Sequence, residues 1–228
     1  MISLSKVTKE YNLDEQIITP VCDVSLEIKK GEFVIIIGRS GTGKSTMLNL
    51  VAGLVKPTRG EIAIDGESVE GMSDSKLSRL RSEKIGYVFQ FPSLLPSLSI
   101  LENIAMPATF STVPRTEPVL QRAEELLKTL GLGERMDCYP RHLSAGEQKR
   151  AVIARSLLNS PPILLADEPT SDLDELTERE IMQLLKEIHN TGVTILMVTH
   201  SLQLMPYATR SYRMENGKLS ATRKNAVS

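Results

Sequence analysis

The stretch GRSGTGKST, Gly38 to Thr46, gathers glycines, a lysine and hydroxyl residues between an apolar run and an apolar-periodic segment. Gly38, Gly41 and Gly43 let the backbone turn so that consecutive N–H groups converge on an anion, with Arg39, Ser40 and Thr42 completing the turns. Lys44 can then reach the terminal phosphates of a nucleoside triphosphate, and the Ser45 hydroxyl can ligate Mg²⁺. Thr46 continues into a helix whose positive end faces the same anion. A glycine-rich turn that binds nothing needs no preceding strand, lysine and hydroxyl at this spacing.

A second stretch, ILLADE, is an apolar strand ending in two acids. Asp167 falls at the carboxyl edge of a sheet, where nucleotides bind in α/β folds, and can hold Mg²⁺. Glu168 is then the candidate general base for an attacking water. A third stretch, LSAGEQKR, opens a helix. Ser144 and Glu147 have the spacing of a capping box, in which each side chain pairs with the other's N–H. Small Ala145 and Gly146 beside them leave first-turn donors that a large anion can approach, worth about 0.3–1 kcal/mol when exposed and up to ~2 when partly buried.

These residues need a scaffold. FVIIIG, the ILLAD run and VTILMVTH read as strands buried on both faces, and KSTMLNLVAGL reads as a helix. Val24, Leu26 and Ile28 alternate with polar residues, and GEIAIDGE reads as a short strand between turns. Val119, Leu120, Ala123, Leu126, Leu127 and Leu130 fall on one helical face that Gly131 ends, and Ile181, Leu184, Leu185 and Ile188 mark another helix ended by Gly192. Asn216-Gly217 lies between two strand-like runs and predicts a hairpin. The expected fold is α/β, a mostly parallel core sheet with helices on both faces and a small antiparallel β layer. One domain is expected over 1–228, with core at about 1–90 and 161–228 and a helical insert at about 91–160.

Composition narrows the function classes. Apolar residues make up 41% and charged residues 24%, ordinary for a globular protein, which removes disordered and fibrous classes. Twenty-seven Lys and Arg against twenty-eight Asp and Glu give a net charge of -1, so no general attraction to nucleic acid or anionic membrane is expected. The C-terminal basic residues Arg210, Arg213, Lys218, Arg223 and Lys224 read as a solvated tail. Cys22 and Cys138 lack metal-ligand spacing and imply a reduced, cytoplasmic setting. No apolar run approaches the ~20 residues of a membrane span, so a membrane role requires a partner chain.

With FQ at Phe89-Gln90, SDLD at Ser171 to Asp174 and TH at Thr199-His200 falling in order around these motifs, the sequence resembles the nucleotide-binding subunit of ATP-binding cassette (ABC) transporters, a P-loop NTPase fold. The resemblance implies that Gln90 touches Mg²⁺ and the attacking water, that His200 holds the γ-phosphate, and that Tyr11 stacks on adenine. LSAGE matches the family's signature sequence, and SDLD matches the loop that crosses to a partner subunit. Two subunits then pack head to tail, each signature helix pointing at ATP in the other's phosphate loop. One set of motifs requires a second copy or a paralogue for two complete sites. ATP and Mg²⁺ are the implied cofactors. An integral membrane permease is the implied partner, holding the chain on the cytoplasmic face of the membrane, with no nucleic acid expected.

Ala145 departs from the glycine usual in the signature, and Glu147 stands where glutamine is common; alanine keeps the backbone donor but restricts positive φ. EKIGYVFQFPSLLPSLSILENIAMP looks like the ATPases of lipoprotein release, macrolide export and the related cell-division system. Two other readings compete. One is a soluble ABC ATPase acting on nucleic acid or ribosomes, and the other is a scaffold that binds ATP to recruit a partner.

Overall fold

The computed structural model describes residues 1–13, 16–111 and 117–222. Along the chain run β1 (Ile2–Leu13), β2 (Gln16–Ile28), β3 (Phe33–Ile37), α1 (Lys44–Val51), β4 (Arg59–Ile64), β5 (Glu67–Ser68), α2 (Asp74–Lys84) and β6 (Ile85–Val88). They continue as α3 (Ile100–Ala105), α4 (Val119–Thr129), α5 (Ala145–Leu157), β7 (Ile163–Asp167), α6 (Glu175–Asn190), β8 (Thr194–Thr199), β9 (Arg210–Glu215) and β10 (Lys218–Ala221). The chain divides into two compact units, Met1–Leu77 with Thr194–Ser228, and Ser78–Val193. Strands β6 and β7 and helix α6 therefore group with the helices at 91–160, so this division differs from a split near 90 and 161.

In the first unit β2-β1-β4-β5 form an antiparallel sheet. Alternation explains it: Val24, Leu26 and Ile28 point inward on β2, and Ile62 and Ile64 do so on β4. β5 is a two-residue strand pairing with Ala63 and Ile64, too short to leave an apolar pattern in the sequence. β3 pairs in parallel with both β8 and β9, and β9 pairs antiparallel with β10. Every residue of β3 and β8 is buried, as the continuous apolar runs require. The hairpin turn has Asn216 at φ 48 and Gly217 at φ 76, the left-handed pair that makes Asn-Gly a hairpin signal. Arg210 does not belong to a solvated tail: it lies in β9 and forms an ion pair with Glu32 at 3.0 Å. Arg223 and Lys224 lie outside the described residues.

In the second unit β6 and β7 pair in parallel, and α3, α4 and α5 pack on one another. Gly86 on β6 lets α5 approach closely, because a Cβ there would stand 2.5 Å from the Ser156 carbonyl. On α4 the buried face is Ala123, Leu126 and Leu127, whereas Leu120 is exposed, so the apolar stripe begins a turn later than its spacing predicts. On α6, Met182 joins Ile181, Leu185 and Ile188 in the core. Helix α2 left no signal because only Leu77 is buried; Asp74 in its first turn, Arg81 and Lys84 in its last and the Arg79–Glu83 pair support it instead.

The loop entering α3 is held by one side chain. Fully buried Asn103 donates to the carbonyls of Leu95, Leu98 and Ser99, and its Oδ1 accepts from the Leu95 N–H at 2.7 Å. Asn103→Ala removes the one side chain that joins these part-buried groups, so stability falls by about 1–3 kcal/mol, read as an earlier midpoint in urea.

Candidate functional site

The phosphate loop lies in the first unit and its backbone explains its glycines. A Cβ at Gly43, φ 101, would stand 1.8 Å from the Pro20 carbonyl oxygen, and one at Gly38 would stand 2.6 Å from the Met214 carbonyl. Gly41 takes φ 78 with open space around it. Lys44 is buried, and its ammonium donates to the Gly38 carbonyl at 2.8 Å and the Arg39 carbonyl at 3.1 Å, drawing the two ends of the loop together. Thr42 Oγ1 donates to the Arg39 carbonyl at 2.9 Å, while Arg39, Ser40 and Gly41 are exposed. Gly43 caps α1 with no side-chain bond and no acid stands in the first turn, so the helix presents its positive end at exposed Ser45 and half-buried Thr46. A glycine-built backbone turn that Cβ atoms at Gly38 and Gly43 would push out of place, a lysine and an uncapped helix end fit a polyphosphate.

The same unit places Tyr11 and His200. Gly38 N–H donates to the Thr199 carbonyl at 3.1 Å, so His200, exposed just beyond β8, follows directly on a residue bonded to the first glycine of the loop. Tyr11 is half exposed on β1 opposite Ile18, with the Lys9 ammonium 4.9 Å from its ring centroid. Its ring already engages one cation through its π face.

The acids lie in the second unit. Asp167 ends β7 and Glu168 follows it, both buried at 7% exposure. Glu168 takes φ 46, a left-handed backbone that costs a non-glycine residue about 1–2 kcal/mol, and the Ser171 N–H closes the turn onto its carbonyl at 3.1 Å. Such strain collects where a side chain must be aimed, and no pattern in the sequence announces it. Burial, with Asp167 adding to it, pushes the Tyr87 phenol well above its usual range. Half-buried Gln90 stands just past β6, and its carbonyl accepts from the ammonium of Lys149.

The helix at LSAGEQKR begins as its residues predict. Ser144 is the N-cap of α5: its hydroxyl accepts from the Glu147 N–H at 3.2 Å, and Glu147 accepts from the Ser144 N–H at 2.8 Å. The box leaves the N–H groups of Ala145 and Gly146 outside it. Ala145 has helical backbone in the first turn, so the restriction alanine places on positive φ has no effect there. Gly146 is small for a different reason from the one its neighbours suggested: a Cβ would meet the Thr177 methyl at 2.6 Å. Arg135, which no spacing pointed to, donates to Glu147 at 3.0 Å. The Ser144 backbone N–H, aided by Arg135, holds the Glu147 carboxyl below its usual range.

Residues 21–171 match the ABC transporter family. The chain belongs to that family. It is 42% identical over 227 residues to an uncharacterised ABC transporter ATP-binding protein of Thermotoga maritima, covering all of this chain and 97% of that one. An uncharacterised ABC transporter ATP-binding protein of Methanocaldococcus jannaschii is 44% identical, over 98% of this chain and 97% of its own. The macrolide export ATP-binding/permease protein MacB of Shewanella is 39% identical across the whole chain, which spans 35% of MacB. The M. jannaschii cassette has been solved as a dimer in a post-hydrolysis state with ADP and Pi; it superposes with a TM-score of 0.89 at 41% identity, over 98% of this chain and 99% of that one. This ABC protein is thus an ATP-binding subunit whose reaction is ATP hydrolysis, and the α/β fold read from its sequence is that of an ABC cassette.

Two outcomes test the geometry. Gly43→Ala forces the loop away from Pro20 and should weaken ATP binding at least about tenfold, measured with a fluorescent nucleotide, the strain exceeding the ~1.4 kcal/mol that a tenfold change represents. Glu147 has a lower pKa folded than unfolded, so its contribution is complete above its unfolded value of about 4.3 and lost as pH falls through the folded value. Glu147→Gln should flatten that part of the acid limb of the thermal-stability profile.

Proposed function

We propose that this ABC ATPase holds ATP and Mg²⁺ with the residues described above and drives a separate membrane permease by dimerising around ATP. The observation that carries this reading is the phosphate loop itself, closed on Lys44 and opening onto the uncapped end of α1. Lys44 and loop N–H groups between Arg39 and Thr46 hold the phosphates, the Gly38 N–H being engaged by the Thr199 carbonyl, and Tyr11 packs against adenine. Ser45, Asp167 and Gln90 would hold Mg²⁺, which would supply positive charge against the phosphate oxygens. Glu168 takes the proton of the attacking water, and His200 steadies the γ-phosphate. The chain acts as a single nucleotide-binding domain.

The finer reading concerns partners. Each copy offers the first turn of α5, Ser144 to Glu147, to the ATP held by a second copy or a paralogue packed head to tail. The dimeric M. jannaschii cassette supports this arrangement. A groove of about 440 Å³ in the second unit, lined in part by Tyr87, Phe89, Met106 and Phe110, with Arg81 and Arg155 beside them, suits an amphipathic permease helix carrying an acid. No helix among the described residues is long and apolar enough to cross a membrane. The permease holds the chain at the cytoplasmic face. The likeness to MacB favours a permease of the mechanical, macrolide-export or lipoprotein-release type, and the near-balanced net charge offers no general attraction to nucleic acid.

Glu168→Gln should reduce turnover by about a hundredfold or more and leave an ATP-dependent dimer on size exclusion. Undiminished turnover removes Glu168 as the base. A variant that stays monomeric with ATP at every concentration removes the ATP-bridged dimer.

A further inference from the structure

The signature helix carries a buried charge that the reading above does not use. Lys149, one turn below the cap of α5, is 4% exposed, and its ammonium stands 2.5 Å from the Gln90 carbonyl. It lies at i+4 from Ala145, so the helix face that bears Ala145 at its exposed end bears Lys149 beneath it. Burial lowers the Lys149 pKa, while the negative charges of Asp172, Glu168 and Asp167 oppose that effect. Asp167 ends β7, and Glu168 and Asp172 lie in the turn after it, both with left-handed backbone, φ 46 and 64. A lysine costs several kcal/mol to bury unless opposite charge and hydrogen bonds compensate, so its position is tied to the groups that supply them.

We infer that Lys149 is a positioning residue for ATP hydrolysis: through its bond to the Gln90 carbonyl it pins that peptide to the signature helix. One ammonium then links two segments, the signature helix and the Gln90 peptide. The first turn of α5 cannot rotate without pulling on the Gln90 carbonyl. No atom of Lys149 needs to touch the nucleotide. This inference rests on the assignment of Gln90 and Glu168 to the hydrolytic step.

The test uses the full chain and two substitutions. Lys149→Met keeps the apolar stem and removes both charge and donors; Lys149→Arg keeps them. The expected result for Lys149→Met is a kcat lower by about tenfold or more, the worth of one charged hydrogen bond, with ATP affinity and thermal midpoint close to those of the parent. Amide exchange at residues 89–93 should rise in Lys149→Met and return towards the parent in Lys149→Arg, together with most of kcat. A Lys149→Met protein that turns over within about twofold of the parent overturns the inference, as does a loss of kcat matched by equal losses of ATP affinity and thermal midpoint with exchange at 89–93 unchanged. Failure of Lys149→Arg to restore either readout also overturns it. Glu168→Gln separates the two levels: if it still hydrolyses ATP, the underlying assignment fails; if it is inactive while Lys149→Met is active, only the role of Lys149 fails.

Discussion

The phosphate loop packs directly against the Pro20 carbonyl, and other parts of the first unit depend on that contact. Gly43 leaves no space for a Cβ against Pro20, and Gly217, in the β9–β10 turn, has Thr19 and Pro20 carbonyl oxygens within 3.2 Å of where its own Cβ would stand. The Cys22 N–H then donates to the Gly217 carbonyl at 2.8 Å. A loop near residue 40, a strand near 20 and a hairpin near 217 meet at one proline. Close packing of this kind transmits displacement instead of absorbing it. The hairpin, far from the loop in sequence, is in this way part of what holds the loop in shape.

Much of this was legible because the sequence repeats its message at several levels. FVIIIG is apolar throughout and its strand is buried on both faces; GRSGTGKST carries glycines where the backbone turns; Ser144 and Glu147 announced a cap that forms. Agreement between local preference and tertiary demand makes such segments readable.

The unread parts are those where tertiary contact decides. Nothing local says that Leu120 faces solvent while Leu126 does not, or that Gly146 is small because Thr177 packs on it. Arg135 reaches Glu147 from a turn that follows α4, with no periodicity linking them. Lys149 looks like one more surface charge in a basic run until the helix is seen to turn it inward. The polar sequence of α2 contains no stripe to detect. Glu168 reads as an acid at a strand end, yet its left-handed backbone is a property of the turn after it.

Lys44 has a consequence that concerns entropy. A free lysine side chain samples many rotamers, and fixing it costs up to about 2 kcal/mol. Here the ammonium is already held by the carbonyls of Gly38 and Arg39, and the side chain is buried. That ordering belongs to the folding of the chain and not to the arrival of a nucleotide. A phosphate entering the loop meets a cation whose freedom has already been surrendered, so its binding need only exchange one set of oxygen partners for another.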